Sequence, residues 1–198
     1  ENLRAARALR EALAARGLKV LLSREDESLP GGEAAEQNPY VPGARVDTVY
    51  RAGAKYVISC HLNAGGGSGF QLYSSVRTGV AWSQAVSQRL LEAGWHGDGN
   101  GLNQAAPFLY KRPTEGRTLI PRDYYFIIRE TGGYALSPYT YRLLRRDEPE
   151  ALAVGAETLL VEFLFLDNAG DAAFWRGHWQ ELVEAVAQGR NGLVHDVA

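Results

Sequence analysis

Two side chains capable of acid–base or metal chemistry lie in apolar segments typical of buried strands. His61 follows the run YVISC at residues 56–60, and Glu162 lies inside the run ETLLVEFLF at residues 157–165. Functional side chains in parallel α/β sheets gather at the carboxyl ends of strands, which favours His61 as a metal ligand. An ionised carboxylate among apolar residues is costly without a metal or hydrogen bonds, and burial raises its pKa toward that of a general base.

Both residues also have an ordinary structural interpretation. A single histidine is more often a structural residue than a ligand, and Glu162 taken alone could be a strand residue in a salt bridge. Cys60 alternates with His61 and should point to the opposite face of its strand, so we interpret it as a core residue. Three further histidines are interpreted as loop, helix-flank and terminal residues and not as ligands: His96, His178 and His195.

The apolar spacing predicts which elements position these side chains. The predicted helices cover residues 3–13, 46–50, 80–93 and 172–188. The predicted strands cover residues 18–22, 55–60, 70–73, 124–128 and 158–164. Helices that alternate with buried strands predict an α/β fold, a three-layer α/β/α sandwich with a mainly parallel twisted sheet. Residues 95–122 are predicted to be irregular because Gly, Asn and Pro interrupt every apolar pattern there.

Length and composition limit the possible classes of protein. The chain has 198 residues, 45% of them apolar, and a formal charge of −2, so we expect one domain with a substantial core. Scattered Lys and Arg give no electrostatic case for a nucleic-acid partner. We find no apolar run long enough for a transmembrane segment. The single cysteine excludes an internal disulfide.

Four segments, taken in order, resemble the zinc-dependent N-acetylmuramoyl-L-alanine amidases (Amidase_3 type) of bacterial and phage cell-wall lysis. They are LLSRED at residues 21–26, RVDTVYRAGAKYVISCHLNA at 45–64, GFQLYSS at 69–75 and ETLLVEFLFLDNAGDAAFW at 157–175. The positions that match the family pattern are Ser59, His61, Asn63, Ala64, Gly69, Tyr73, Leu160, Val161, Glu162, Phe165, Leu166 and Asn168. The resemblance therefore covers most of the chain.

The resemblance implies a zinc-dependent hydrolase that cleaves the amide between N-acetylmuramic acid and the L-alanine of the peptidoglycan stem peptide. It implies Zn²⁺ as cofactor, His61 as a zinc ligand, and Glu162 as the catalytic carboxylate that acts on zinc-activated water. The chemistry is consistent with these roles, because an unactivated amide needs both a polarised carbonyl and a proton for its leaving amine.

Two features depart from the family pattern. The family takes its first zinc histidine from a glycine-rich segment before the first helix, and the chain opens on Glu1 within a helical pattern and contains no methionine. We therefore expect the domain at residues 1–198 to be N-terminally incomplete. Glu1 is either the family's glutamate ligand at an altered spacing or an ordinary acidic residue at a helix start.

The second departure is an insertion at about residues 132–157, which either walls the substrate groove or forms a surface hairpin. Arg129, in the segment just before it, is a candidate substrate-binding residue. Asn63 is also a candidate for substrate binding, although it could instead fix the glycine turn after His61.

Two other functions remain open. A non-catalytic cell-wall-binding module could keep the amidase scaffold without its metal site, and a zinc carboxypeptidase could use a related scaffold. The expected partner in the leading hypothesis is peptidoglycan. The expected location is the cell envelope, either periplasmic or secreted, or the wall as the target of a phage lysin.

Overall fold

The structure is a computed structural model of the 198-residue chain. It describes residues 1–33, 35, 41–74, 80–104, 108–111, 119–122, 125–131 and 156–191. The helices are α1 (Asn2–Ala14), α2 (Arg45–Arg51), α3 (Ala81–Glu92), α4 (Phe126–Thr131) and α5 (Ala169–Asn191). The strands are β1 (Tyr56–Asn63), β2 (Phe70–Ser74), β3 (Gly97–Gln104), β4 (Phe108–Lys111), β5 (Leu119–Arg122) and β6 (Glu157–Phe165).

Four of these strands form the central sheet in the order β1-β6-β2-β3. The β1–β6 and β2–β3 pairs are parallel, whereas β2 and β6 are antiparallel. Helices α1, α3 and α5 pack together on one face of the sheet, and α2 and α4 lie on the other. The prediction of a three-layer α/β sandwich with a mainly parallel sheet is confirmed. Strands β4 and β5 form a separate antiparallel pair.

Alternating residues of β6 pack into two apolar clusters, one on each face of the sheet. Leu159, Val161 and Phe163 join the main core, which packs against α1, α3 and α5. Leu160 packs instead with Ile128 of α4 in a smaller apolar cluster on the other face. Side chains at positions 158, 160 and 162 of β6 therefore face α4, because neighbouring strand residues point in opposite directions.

Helix α5 begins at Ala169, three residues before its predicted start. The side-chain oxygen of Asn168 accepts hydrogen bonds from the backbone N–H groups of Gly170 at 2.9 Å and Asp171 at 3.2 Å. This side chain satisfies backbone donors that a helix start leaves without partners. Asn168 therefore caps α5.

Three predicted elements were wrong. Residues 18–22 form no strand, because no described strand lies beside them to complete a hydrogen-bonded ladder. The run at 124–128 belongs in part to helix α4, whose buried Ile128 packs on β6. The stretch 95–122, predicted to be irregular, contains β3, β4 and β5. The predicted insertion at 132–157 lies outside the described residues except for its last two positions.

Candidate functional site

The side chains of His61 and Glu162 are neighbours on one face of the sheet. The two residues are direct register partners across the parallel β1–β6 pair. Cys60 packs against the main core on the face of α1, α3 and α5, so His61 points toward the opposite face, where α2 and α4 lie. Glu162 shares that opposite face with Leu160. The fold therefore brings together the two residues that the sequence singled out for chemistry.

The carboxyl group of Glu162 is buried without a hydrogen-bond partner for one of its oxygens. The residue is 7% exposed, and Oε2 has no partner within the described part of the chain. Burial raises the pKa of Glu162 from its ordinary value of 4.5 to about 7. A buried polar atom without a partner is costly, so this oxygen is suited to receive a proton or to face a cation.

The surroundings of the His61 ring favour its neutral form. Its Nε2 atom lies 3.0 Å from the hydroxyl oxygen of Ser59, two residues earlier on the same face of β1. Burial and the nearby positive charge of Arg45 lower the pKa of His61. A neutral imidazole is the form that coordinates a metal, so the environment of His61 favours the ligand role.

Gln71 borders Glu162 on the side away from His61. It is the register partner of Glu162 across the antiparallel β2–β6 pair. Its side-chain oxygen accepts hydrogen bonds from the Asn63 amide and the Tyr73 hydroxyl, each at 2.7 Å. Its amide nitrogen donates to the carboxylate of Asp98 on β3. Three side chains from three strands thus meet at this amide. No pattern in the sequence had pointed to Gln71 or Asp98.

Asn63 has structural contacts at both ends of its amide. Its Oδ1 atom accepts a hydrogen bond from the backbone N–H of Ala64 at 2.8 Å, while Nδ2 donates to Gln71. The first contact supports the role in fixing the glycine turn. Substrate binding by Asn63 stays a prediction.

The glycine loop at residues 64–69, between β1 and β2, is fastened to the start of α5. The exposed carboxylate of Asp167 accepts hydrogen bonds from the backbone N–H groups of Gly65 at 2.9 Å and Gly66 at 2.8 Å. These two bonds lower the pKa of Asp167. Sequence reasoning missed this contact, although an acidic residue before a predicted helix was the available signal.

A second carboxylate fastens the same loop from a buried position. Asp171 is 1% exposed, and its Oδ2 atom accepts from the backbone N–H groups of Gly69 at 2.8 Å and Phe165 at 3.0 Å. Its Oδ1 atom accepts from the hydroxyl of Ser68 at 2.7 Å. Asp171 therefore ties the glycine loop to the end of β6, the strand that carries Glu162.

Glu1 lies apart from the pair of His61 and Glu162. Its carboxylate accepts a hydrogen bond from the indole of Trp175 at 3.1 Å and lies 3.5 Å from the guanidinium of Arg4. The Trp175 ring packs on Phe163, which points to the opposite face of β6 from Glu162. The structure does not bring Glu1 to His61 and Glu162. The backbone of Arg129 belongs to α4 on the site's face of the sheet, but its side chain is outside the described part.

The described residues fit a metal ion in part. A neutral imidazole and a buried carboxylate oxygen without a partner, on adjacent strands, are suitable ligands or neighbours for Zn²⁺. Among the described side chains, however, no group of three or more His, Cys, Asp and Glu residues gathers in one place. Since a catalytic zinc takes about three protein ligands, the described part supplies an incomplete ligand set.

The raised pKa of Glu162 predicts how stability depends on pH. Between pH 4.5 and about 7 the folded chain binds a proton that the unfolded chain releases, so the free energy of unfolding falls as pH rises through this range. In the wild type this fall in the free energy of unfolding reaches about 3 kcal/mol above pH 7. It should be absent in Glu162→Gln, whose amide does not titrate. Urea unfolding with a chelator present should therefore show a stability difference between variant and wild type that grows from pH 4.5 to 7.5. Glu11→Gln, on an exposed helix face, is the control, and a difference independent of pH would contradict the expectation.

Several solved structures, among them N-acetylmuramoyl-L-alanine amidases, share this fold. The chain aligns with Cwp6 from Clostridium difficile at 19% identity and a TM-score of 0.60, covering 97% of this chain and 24% of that one. It aligns with the CwlD amidase from Clostridioides difficile, solved in complex with the GerS lipoprotein, at 18% identity and a TM-score of 0.63, covering 96% and 82% of the two chains.

A third similar structure is the catalytic domain of CwlV, an N-acetylmuramoyl-L-alanine amidase from Bacillus (Paenibacillus) polymyxa var. colistinus. The identity is 18% and the TM-score 0.63, and the alignment covers 98% of this chain and 82% of that one. No protein-family model matches the sequence, and no curated protein matches it. No helix in the described ranges has the length and apolar character to cross a bilayer. The chain has the fold of the N-acetylmuramoyl-L-alanine amidases.

Proposed function

We propose that this protein is a peptidoglycan hydrolase that cleaves the amide between N-acetylmuramic acid and the L-alanine of the stem peptide. The observation that carries the proposal is the register pairing of His61 with Glu162 on one face of an amidase-type sheet. The solved amidases with the same fold support the choice of substrate class. Such an enzyme would act at the cell envelope, in the periplasm or after secretion, or as a phage lysin on the wall.

We assign separate roles to the two paired residues. His61 would be a ligand of Zn²⁺, which when bound would supply Lewis-acid polarisation of the amide carbonyl and of water. The buried oxygen of Glu162 would accept a proton from the attacking water and donate it to the nitrogen that leaves as L-alanine's amine. A pKa of about 7 suits both transfers, because the group can accept and release a proton near neutral pH.

Glu1 contributes least to this proposal, since Trp175 and Arg4 hold its carboxylate away from the pair. A groove also runs beside β1. A cavity of about 730 Å³ extends between residues 18–22 and β1 and reaches His61. In the described sheet, β1 pairs only with β6.

Analysis of reaction products tests the function. Purified sacculi treated with the protein should release intact stem peptides that carry a free L-alanine amino group, identified by mass spectrometry. Release of single amino acids would indicate a carboxypeptidase instead. Binding to sacculi that persists with a chelator present, without any released peptide, would indicate a non-catalytic wall-binding module, which the incomplete ligand set among the described residues also allows.

A further inference from the structure

The amide of Gln71 has a partner at each of its polar atoms, and these partners fix its orientation. Asp98 offers only acceptor oxygens when ionised, so the amide must turn its nitrogen toward that carboxylate. The opposite end of the amide, its oxygen, then faces Asn63 and Tyr73 and accepts a hydrogen bond from each. An amide turned the other way would set two oxygens against each other at Asp98.

The Gln71 amide lies in the part of the site on the other side of Glu162 from His61, and it holds the side chains there. Gln71 and Glu162 are register partners, and Tyr73 points to the same face two residues further along β2. The ring of Tyr73 packs against Tyr125 with a centroid distance of 4.6 Å. Burial is the largest cause that raises the pKa of Tyr73, followed by its contact with Tyr125 and the charges of Asp98 and Glu162. The phenol therefore stays protonated and donates to Gln71.

We propose that Asp98 is a positioning residue for the site. By fixing the amide of Gln71, it holds Tyr73 and Asn63 in place beside Glu162, and these side chains form the wall that orients the scissile amide of the substrate. The proposal rests on the proposed function, because it names what the wall orients. Asp98 lies on β3, one strand further from Glu162 than Gln71, and accepts a hydrogen bond from the Gln71 amide.

The expected effect is on the rate of the chemical step. A displacement of about 1 Å in a group that orients substrate can lower the rate by about 100-fold. Asp98→Ala removes the acceptor and leaves the Gln71 amide free to turn, whereas Asp98→Asn retains one oxygen that can accept the same hydrogen bond. A positioning role therefore predicts a large loss in the first variant and recovery in the second.

The kinetic experiment compares three variants on a soluble muropeptide. Asp98→Ala should lower kcat by about 10- to 100-fold, with an unchanged thermal midpoint, and Asp98→Asn should stay within about threefold of wild type. Asp26→Ala, which removes an exposed carboxylate that accepts hydrogen bonds from the nearby Ser28, is the matched control. An Asp98→Ala variant as active as this control, or equal losses in the Ala and Asn variants, would overturn the proposal.

A second measurement is independent of hydrolysis. The 13Cζ resonance of Tyr73, assigned by its disappearance in Tyr73→Phe, should shift more in Asp98→Ala than in Asp98→Asn, which loses the same charge but keeps an acceptor, and stay unchanged in Asp26→Ala. A Tyr73 resonance that does not respond to Asp98→Ala would overturn the positioning role. If the wild-type protein releases no stem peptides, the proposed function fails, while this resonance still decides whether Asp98 positions Tyr73.

Discussion

Glu162→Gln should lower the rate of stem-peptide release by about 100- to 10,000-fold, the usual contribution of a general acid–base group. Glutamine has the shape of glutamic acid but cannot take a proton from water and return it to the leaving amine. Glu162 is 7% exposed and lies on β6 beside His61. One oxygen of its carboxyl group lacks a hydrogen-bond partner among the described residues.

The matched control for this change is Glu157→Gln on the same strand. Glu157 begins β6, five residues before Glu162, and is the register partner of Tyr56 at the other end of β1. The same loss of charge there should leave the release rate within about threefold of wild type. Release by Glu162→Gln above a tenth of the wild-type rate would contradict the assigned role. Equal losses in both variants would show that any change in β6 disturbs the fold.

The largest expected effect on stability is that of Asp171→Ala. The change leaves two buried backbone N–H groups, those of Gly69 and Phe165, without their acceptor and also removes the bond to Ser68. Hydrogen bonds to a charged group contribute about 1.5–3 kcal/mol each, and an orphaned buried donor adds its own cost, so we expect a loss of about 3–5 kcal/mol. Urea unfolding followed by far-UV circular dichroism would measure it.

Asp167→Ala provides the comparison for Asp171→Ala. Asp167 also accepts two backbone hydrogen bonds from the glycine loop, but its carboxylate is exposed and water can replace it. We expect a much smaller loss of stability for this variant. If Asp171→Ala and Asp167→Ala proved equally stable, burial would not be the reason for the importance of Asp171.

Local patterns in the sequence predicted the two strands that carry His61 and Glu162 but not how these strands pair. Apolar runs around His61 and Glu162 are sufficient to predict two buried strands, because alternation and β-branched residues are local signals. Their register pairing depends on how separate strands align, which no local pattern in a fully apolar strand determines. The resemblance to amidases implied that the two residues share a site, and the sheet places them on one face.

The errors of prediction have a common physical cause, which is that tertiary contacts decide between local alternatives. Residues 18–22 have the composition of a strand but no partner strand in the described sheet. The sequence of β3, GDGNGLNQ, contains almost no apolar residue, yet it pairs with β2. Gln71 and Asp98 escaped notice because a hydrogen bond between side chains 27 residues apart leaves no pattern in the sequence.

The central claim is that the imidazole of His61 holds a zinc ion beside Glu162, and zinc affinity measured by competition with a chromogenic chelator tests it most directly. His61→Ala should weaken zinc binding by more than about tenfold. His96→Ala, which removes an exposed ring bonded to Ser68 outside the pair, should bind zinc as the wild type does. Zinc affinity that is unchanged in His61→Ala would contradict the account.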